Sequence, residues 1–211
     1  MLRERLDDGL AAMALALAAP ARVQLVEYLL LLERWNRAFN LVAQSDASSM
    51  VERHILDCLA PLPWLDAHAP ADAAALDLGT GAGLPGLVLA IARPRLQWTL
   101  LDANGKKARF CRQAAAALDL KQVRVEQGRA ERHRSPGGYD LVISRAVADL
   151  PRLAGLAHPM LAVGGWIVAM TGRTVDVQEP AFASFGLAYN AVELRVPGAD
   201  ERHLMVMGRV D

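Results

Sequence analysis

Ala73-Ala74-Ala75-Leu76-Asp77-Leu78-Gly79-Thr80-Gly81-Ala82-Gly83-Leu84-Pro85-Gly86 reads as a short apolar strand, a glycine-rich turn and the opening of a helix. A carboxylate, Asp77, stands where the strand ends. Glycines let a backbone turn tightly and approach a ligand closely, because no Cβ stands in the way. At the carboxyl edge of a parallel sheet, such a turn is a site for a nucleotide-type ligand.

The chain around this turn alternates strands and helices. The pattern predicts strands over 74–78, 97–102, 122–126, 139–144 and 166–170, the last after the turn Gly164-Gly165. Helices are expected over 85–92, 104–118 and 150–158, with a closing pair of strands over 187–196 and 203–210. This rhythm implies a mostly parallel α/β sheet covered by helices on both faces. Upstream, residues 2–17 read as a helix, and Pro20 suits the first turn of a second one running towards Phe39. Ser48-Ser49 can cap a third helix carrying Met50, Val51, His54, Ile55 and Leu59. Pro61, Pro63 and Pro70 are expected to break the chain there. Residues 1–72 thus form a helical cap and residues 73–211 the ligand-binding domain, the two making one unit.

The bulk composition narrows the class. With 211 residues and 53% hydrophobic content, a sizeable core can form. No apolar run reaches the roughly 20 residues of a spanning helix, so no membrane role is expected. The charged start, Met1-Leu2-Arg3-Glu4-Arg5-Leu6-Asp7-Asp8, is unlike a signal peptide. Cys58 and Cys111 lie far apart and in no metal spacing, so both read as thiols of a reducing cytoplasm, with no metal site. The 23 basic and 23 acidic residues cancel, which does not advertise a nucleic-acid binder. However, only Lys106, Lys107 and Lys121 are lysines, and arginine's planar fork suits phosphates and stacked bases.

Gly81-Ala82-Gly83-Leu84-Pro85-Gly86 matches the dinucleotide fingerprint, and Asp102 follows at the spacing that fingerprint asks of its acid. A dinucleotide-binding oxidoreductase is therefore one reading. Two features oppose it. Asp77 would repel a pyrophosphate, and Pro85 lacks the N–H that could hold one. S-adenosylmethionine carries no phosphate, and its sulfonium and ammonium are positive, so the carboxylate suits it. Asp102 ends the second strand, where an acid accepts hydrogen bonds from ribose hydroxyls, the lesser alternative being a cap for the next helix. Gly128-Arg129-Ala130-Glu131 follows the third strand, at the edge where an adenine would lie.

At this point the chain resembles a known family, the bacterial 16S ribosomal RNA guanine-N7 methyltransferases called RsmG or GidB. The resemblance rests on Trp35-Asn36-Arg37-Ala38-Phe39-Asn40-Leu41, Arg53-His54-Ile55-Leu56-Asp57-Cys58-Leu59 and the glycine turn. It continues through Leu100-Leu101-Asp102 with Lys106-Lys107, Arg129-Ala130-Glu131 and Ile143-Ser144-Arg145-Ala146. The resemblance implies a class I methyltransferase fold: a Rossmann-like, seven-stranded sheet with an N-terminal helical cap. It implies S-adenosyl-L-methionine as cofactor and, as target, a guanosine at nucleotide position 527 of 16S rRNA. Family binding positions fall on Gly79, Leu84, Ala130, Glu131 and Arg145, beside Asp77, Thr80, Gly81, Gly83 and Asp102 from the strand ends and the turn. The chain departs from the family at Met170-Thr171-Gly172, where a lysine is common before the glycine, and at Cys58, where serine is common.

Guanine N7 has a lone pair and no proton, so direct in-line attack on a sulfonium methyl needs no general base. No Pro-Cys nucleophile is present, which disfavours methylation at a pyrimidine carbon. Ser144-Arg145-Ala146-Val147 replaces the Asn/Asp-Pro-Pro-aromatic turn of amine methylation. Arg145 is the expected catalytic residue, orienting phosphate, O6 or cofactor while leaving N7 free, unless it simply pairs with Asp149. Arg34, Arg37, Arg53, His54, Lys106, Arg109 and Arg129 are the candidate RNA contacts, with Arg132 and Arg134 beside them, although solvated roles suit most of them individually. His54 and Asp57 share a helical face, at the substrate mouth or between cap and core. Trp35, Trp64, Trp98 and Trp166 read as core, and His133 as exposed. The expected partner is 16S rRNA or the small ribosomal subunit, met by a monomer. A non-catalytic S-adenosylmethionine-binding assembly factor and a small-molecule methyltransferase are the other readings.

Overall fold

The computed structural model describes residues 1–43, 50–145, 149–172, 182 and 184–209. Ser48, Ser49, Ala146, Val147 and Val210 lie outside the described residues. Seven strands form one sheet: β1 Ala74–Leu78, β2 Gln97–Asp102, β3 Val123–Gln127, β4 Tyr139–Arg145, β5 Leu161–Thr171, β6 Leu187–Leu194 and β7 Arg202–Arg209. Their order is β3-β2-β1-β4-β5-β7-β6. The first five are parallel, and β7 runs antiparallel to both β5 and β6. The chain moves outward from β1 to β2 and β3, then crosses back to lay β4 on the other side of β1. That reversal leaves a crevice at the carboxyl ends of β1 and β4, where open α/β sheets bind ligands.

Both faces of the sheet are covered, so the central strands are buried almost throughout instead of alternating. One face packs against α1 (Leu2–Ala12), α2 (Ala19–Phe39), α3 (a π-helical turn Val51–Leu56 continuing through Asp57–Leu59), α4 (Leu62–His68), α5 (Gly86–Ala92) and α6 (Gly105–Ala117). Leu6, Leu25, Tyr28 and Leu32 of the cap share one apolar cluster with Leu87, Trp98 and Phe110. The opposite face is covered by α7 (Leu150–Ala157), whose Leu153 and Ala154 meet Leu76, Val142 and Ile167. The cap is therefore one wall of the main core.

Three expectations need correction. Pro61 and Pro63 do not end the helical region, because α4 begins there with Pro61 at its N-cap and Pro63 in its first turn, where the missing N–H is not needed, whereas Pro70 follows the end of α4 at His68 as expected. The first helix stops at Ala12, and Ala14 takes a left-handed conformation (φ 52°). Gly164-Gly165 is not a turn before β5 but lies inside it, where the pairing with β4 shifts register between Tyr139 and Leu141.

Candidate active site

Asp77, on β1, is fully buried, and its Oδ2 accepts from both Thr80 Oγ1 (2.6 Å) and the Gly86 backbone N–H (2.8 Å). One oxygen thus ties the start of the glycine loop to the start of α5. The Gly79 and Thr80 N–H groups donate to the Leu101 carbonyl at the end of β2 (2.9 and 3.0 Å). The Gly81 N–H donates to Asp102 Oδ2 (2.9 Å), and Asp102 Oδ1 accepts from the Asn104 N–H (2.7 Å). From the cap, the buried Tyr28 hydroxyl donates to the Ala82 carbonyl (2.7 Å). Burial lifts the Asp77 carboxyl to about 6, against the lowering effect of its two hydrogen bonds.

A cavity of about 470 Å³ opens at the strand ends. Gly79 follows β1, Asp102 and Ala103 close β2, Gly128 to Glu131 follow β3, and Ser144 and Arg145 end β4. Gly79 has φ +77°, and a Cβ built there would meet nothing within 4 Å, so only hydrogen stands between this backbone and the open space. Of the expected cofactor residues, Gly79, Asp102, Ala130, Glu131 and Arg145 line the cavity. Asp77, Thr80, Gly81, Gly83 and Leu84 do not line it. Asp77, Thr80, Gly83 and Leu84 are buried behind the loop, because the carboxylate faces the loop's own N–H and hydroxyl groups. The cap of the helix after β2 is Asn104, whose side chain accepts from Lys106 and Lys107 N–H, and not Asp102.

The far wall was not anticipated. Asp149, Arg152, Leu153 and Leu156 face the crevice from α7. Asp149 caps that helix by accepting from the Arg152 N–H (3.0 Å). The signal was available in Asp149-Leu150-Pro151, a cap followed by a proline in the first turn, which starts a helix just past a strand end.

Arg145 pairs with Asp57 of α3 and not with Asp149: Nη1 lies 3.4 Å from Asp57 Oδ2 and also donates to the Arg53 carbonyl (3.3 Å). Asp57 Oδ1 accepts from Arg202 Nε of β7 (2.8 Å). Ser144 Oγ donates to the Leu78 carbonyl (2.7 Å), locking β4 to β1 at the cavity rim. His54 is buried one turn before Asp57, and neither ring nitrogen has a hydrogen-bond partner among the described residues. Burial, then the Arg145 charge, pushes its imidazole down to about 4. Burial also pushes the neighbouring Cys58 thiol up to about 12.

Arg34, Arg37, Arg53, Lys106, Arg109 and Arg129 are exposed, Arg37 beside Glu33 (2.7 Å). The α2 pair and the α6 pair stand on helices joined by the Trp35–Phe110 contact. Arg129 also borders the cavity. His133 is buried and not exposed: it stacks on Tyr139, with Nε2 2.9 Å from the tyrosine hydroxyl and Nδ1 3.3 Å from Glu126 Oε2. Trp98 is fully buried, and Trp64 meets Trp166 edge-on. No helix among the described residues is long and apolar enough to cross a membrane.

A seven-stranded sheet of this order, with its crevice at the β1/β4 reversal, defines a class I methyltransferase fold. Solved structures of that fold superpose on it: a SAM-dependent methyltransferase from Aquifex aeolicus (TM-score 0.57, 12% identity, 74% of this chain and 92% of that one) and a methyltransferase from Pyrococcus furiosus (TM-score 0.58, 15%, 88% and 98%). The GidB family, described as rRNA small subunit methyltransferase G, matches residues 21–205. Relatives named ribosomal RNA small subunit methyltransferase G are 43% identical over 205 residues in Xanthomonas oryzae pv. oryzae (96% of this chain, 92% of the relative) and 41% identical over 208 residues in Marinobacter nauticus (98% and 95%). The chain belongs to the rRNA small subunit methyltransferase G family.

Proposed function

We propose that the protein transfers the methyl group of S-adenosylmethionine to N7 of a guanosine in 16S ribosomal RNA. The observation that carries this reading is what occupies the start of α5. Pro85 has no N–H, and the Gly86 N–H is donated to the Asp77 carboxylate, so this helix end faces an anion of the protein's own. That arrangement repels a pyrophosphate and tolerates a cationic ligand above the loop. The crevice fits the cofactor: it is open at Gly79, it presents the Asp102 carboxylate, whose remaining lone pairs suit ribose hydroxyls, and it is walled by Leu101, Leu153 and Leu156 for a base.

When bound, S-adenosylmethionine supplies an electrophilic methyl on a positively charged sulfur. The guanine N7 lone pair forms the new N–C bond as the C–S bond breaks, so no protein group has to take a proton. The chain's contribution is orientation and exclusion of water. Asp77 acts through the loop it holds, and Arg145, at the cavity's substrate side, directs the incoming nucleotide by O6 or phosphate and leaves N7 free. Arg145→Ala lowers kcat roughly 100-fold by loss of that alignment. We also propose that one monomer suffices, which sedimentation of the active protein measures.

The test is incubation of the protein with methyl-labelled cofactor and small ribosomal subunits or stripped 16S rRNA, followed by mapping of N7-methylguanosine. A single labelled guanosine is expected. Label on another atom, or none despite bound S-adenosylhomocysteine, overturns the reading. Tight binding of NAD in place of S-adenosylhomocysteine returns the dinucleotide alternative.

A further inference from the structure

Arg145 also borders a second, smaller cavity of about 220 Å³. Its other walls come from four separate elements at the same edge of the sheet: Asp57 of α3, Met170 and Thr171 closing β5, Leu194 closing β6, and Arg202 opening β7. Asp57 stands between two guanidinium groups, one oxygen towards each, at 3.4 Å from Arg145 and 2.8 Å from Arg202. The three side chains are 12%, 23% and 29% exposed, in the order Asp57, Arg145, Arg202, so the cluster is screened from solvent yet reachable. One carboxylate cannot neutralise two arginines, and the triad carries a net positive charge. A guanidinium has five N–H donors in a fixed fork. Among the described residues, the bonds to Asp57 and to the carbonyls of Arg53 and Glu201 use only some of them.

We propose that this second cavity is a phosphodiester subsite, in which Arg202 grips a backbone phosphate of the RNA next to the target nucleotide and Asp57 is the positioning residue that spaces the two forks. A phosphodiester is a monoanion with two free oxygens, which matches the triad's one net positive charge among the described residues and its two planar donor forks. The inference rests on the RNA reading above and adds to it a residue, Arg202, that lies outside the cofactor cavity. It also gives the cap a task. Asp57 belongs to the cap, so helix packing on that face fixes the distance between a residue of β4 and one of β7. Arg145, common to both cavities, marks where the methyl donor and the gripped strand meet.

The experiment measures binding of the 16S rRNA substrate, with S-adenosylhomocysteine present, over a series of KCl concentrations. It compares wild type with Arg202→Ala, Arg202→Lys and Asp57→Asn, and measures cofactor affinity and melting temperature alongside. Arg202→Ala weakens RNA binding roughly ten- to a hundredfold, as loss of a charge-assisted bond should. The slope of log K against log salt shrinks by about 0.7 to 0.9, as it does when one phosphate is no longer neutralised. Cofactor affinity stays unchanged, and the methylation defect falls on KM. Arg202→Lys keeps the slope with intermediate affinity, because a point charge replaces a fork. Asp57→Asn keeps the slope and lowers kcat, since both cations remain but lose their spacing. Inorganic phosphate competes with RNA on wild type and less so on Arg202→Ala, whereas competition that is equal on both places free phosphate elsewhere and overturns the site. An unchanged slope in Arg202→Ala, with only a lower melting temperature, makes the triad a structural brace and overturns the proposal. Wild-type protein that puts no methyl on RNA overturns the RNA reading itself, and this site with it.

Discussion

Asp77 and His54 are both buried titratable groups with an unpartnered polar atom, and burial moves them in opposite senses. Oδ1 of Asp77 and both ring nitrogens of His54 lack partners among the described residues. The Asp77 carboxyl rises to about 6, so between pH 4 and 6 the unfolded chain gives up this proton while the folded chain keeps it. Its contribution to stability therefore falls as pH rises through that window. His54 falls to about 4, so between pH 6.5 and 4 the unfolded chain takes up a proton that the folded chain refuses. Its contribution falls as pH drops. The two oppose each other. Relative to Asp77→Asn, wild type loses about 3 kcal/mol between pH 4 and 6, and relative to His54→Gln it gains stability over pH 4 to 6.5. Urea midpoints at constant ionic strength read both differences, and difference curves of the same sign contradict the assignment. A Cβ at Gly86 would lie 2.7 Å from Asp77 Oδ2 and 2.9 Å from Asp77 Cβ. Gly86→Ala therefore costs about 1 to 3 kcal/mol by overpacking. The importance of Asp77 was legible from its place at a strand end. The direction of its side chain was not, because a strand buried on both faces gives no alternation to read.

At the scale of elements, α2 reaches across to hold the loop that follows β1. Tyr28→Phe leaves the buried Ala82 carbonyl without its donor and costs about 1 to 2 kcal/mol. Affinity for S-adenosylhomocysteine falls in the same variant, and calorimetric titration tests whether loop and ligand are coupled in this way. Strands β1, β2 and β4 were legible almost to the residue, since apolar runs bounded by glycine or proline have few other readings. The cofactor crevice was legible for the same reason, as three strand ends that must meet. The Asp57–Arg145–Arg202 cluster was not. Its members lie 88 and 145 residues apart in the chain, and only the packing of α3 against the closing hairpin joins them. His133 was misread because its neighbours are arginines, while its ring turns inward to Tyr139 and Glu126.

For the whole molecule, the apolar cluster runs without a break from Leu6 and Leu25 through Leu59 to Leu87, Trp98 and Phe110. We infer that residues 1–72 and 73–211 unfold together. A fragment of residues 73–211 exposes that cluster and is expected to be insoluble, and the full chain to show one transition by both far-ultraviolet dichroism and tryptophan fluorescence. Two separated transitions contradict this. The order β5-β7-β6 carries a further consequence, for synthesis. β7 is translated after β6 yet lies between it and β5. A nascent chain therefore holds β6 with no neighbour, and β5 with a bare edge, until β7 has cleared the exit tunnel of the ribosome that makes it. Arg202 arrives on that strand, so the bridge from Asp57 closes only when the hairpin threads into place.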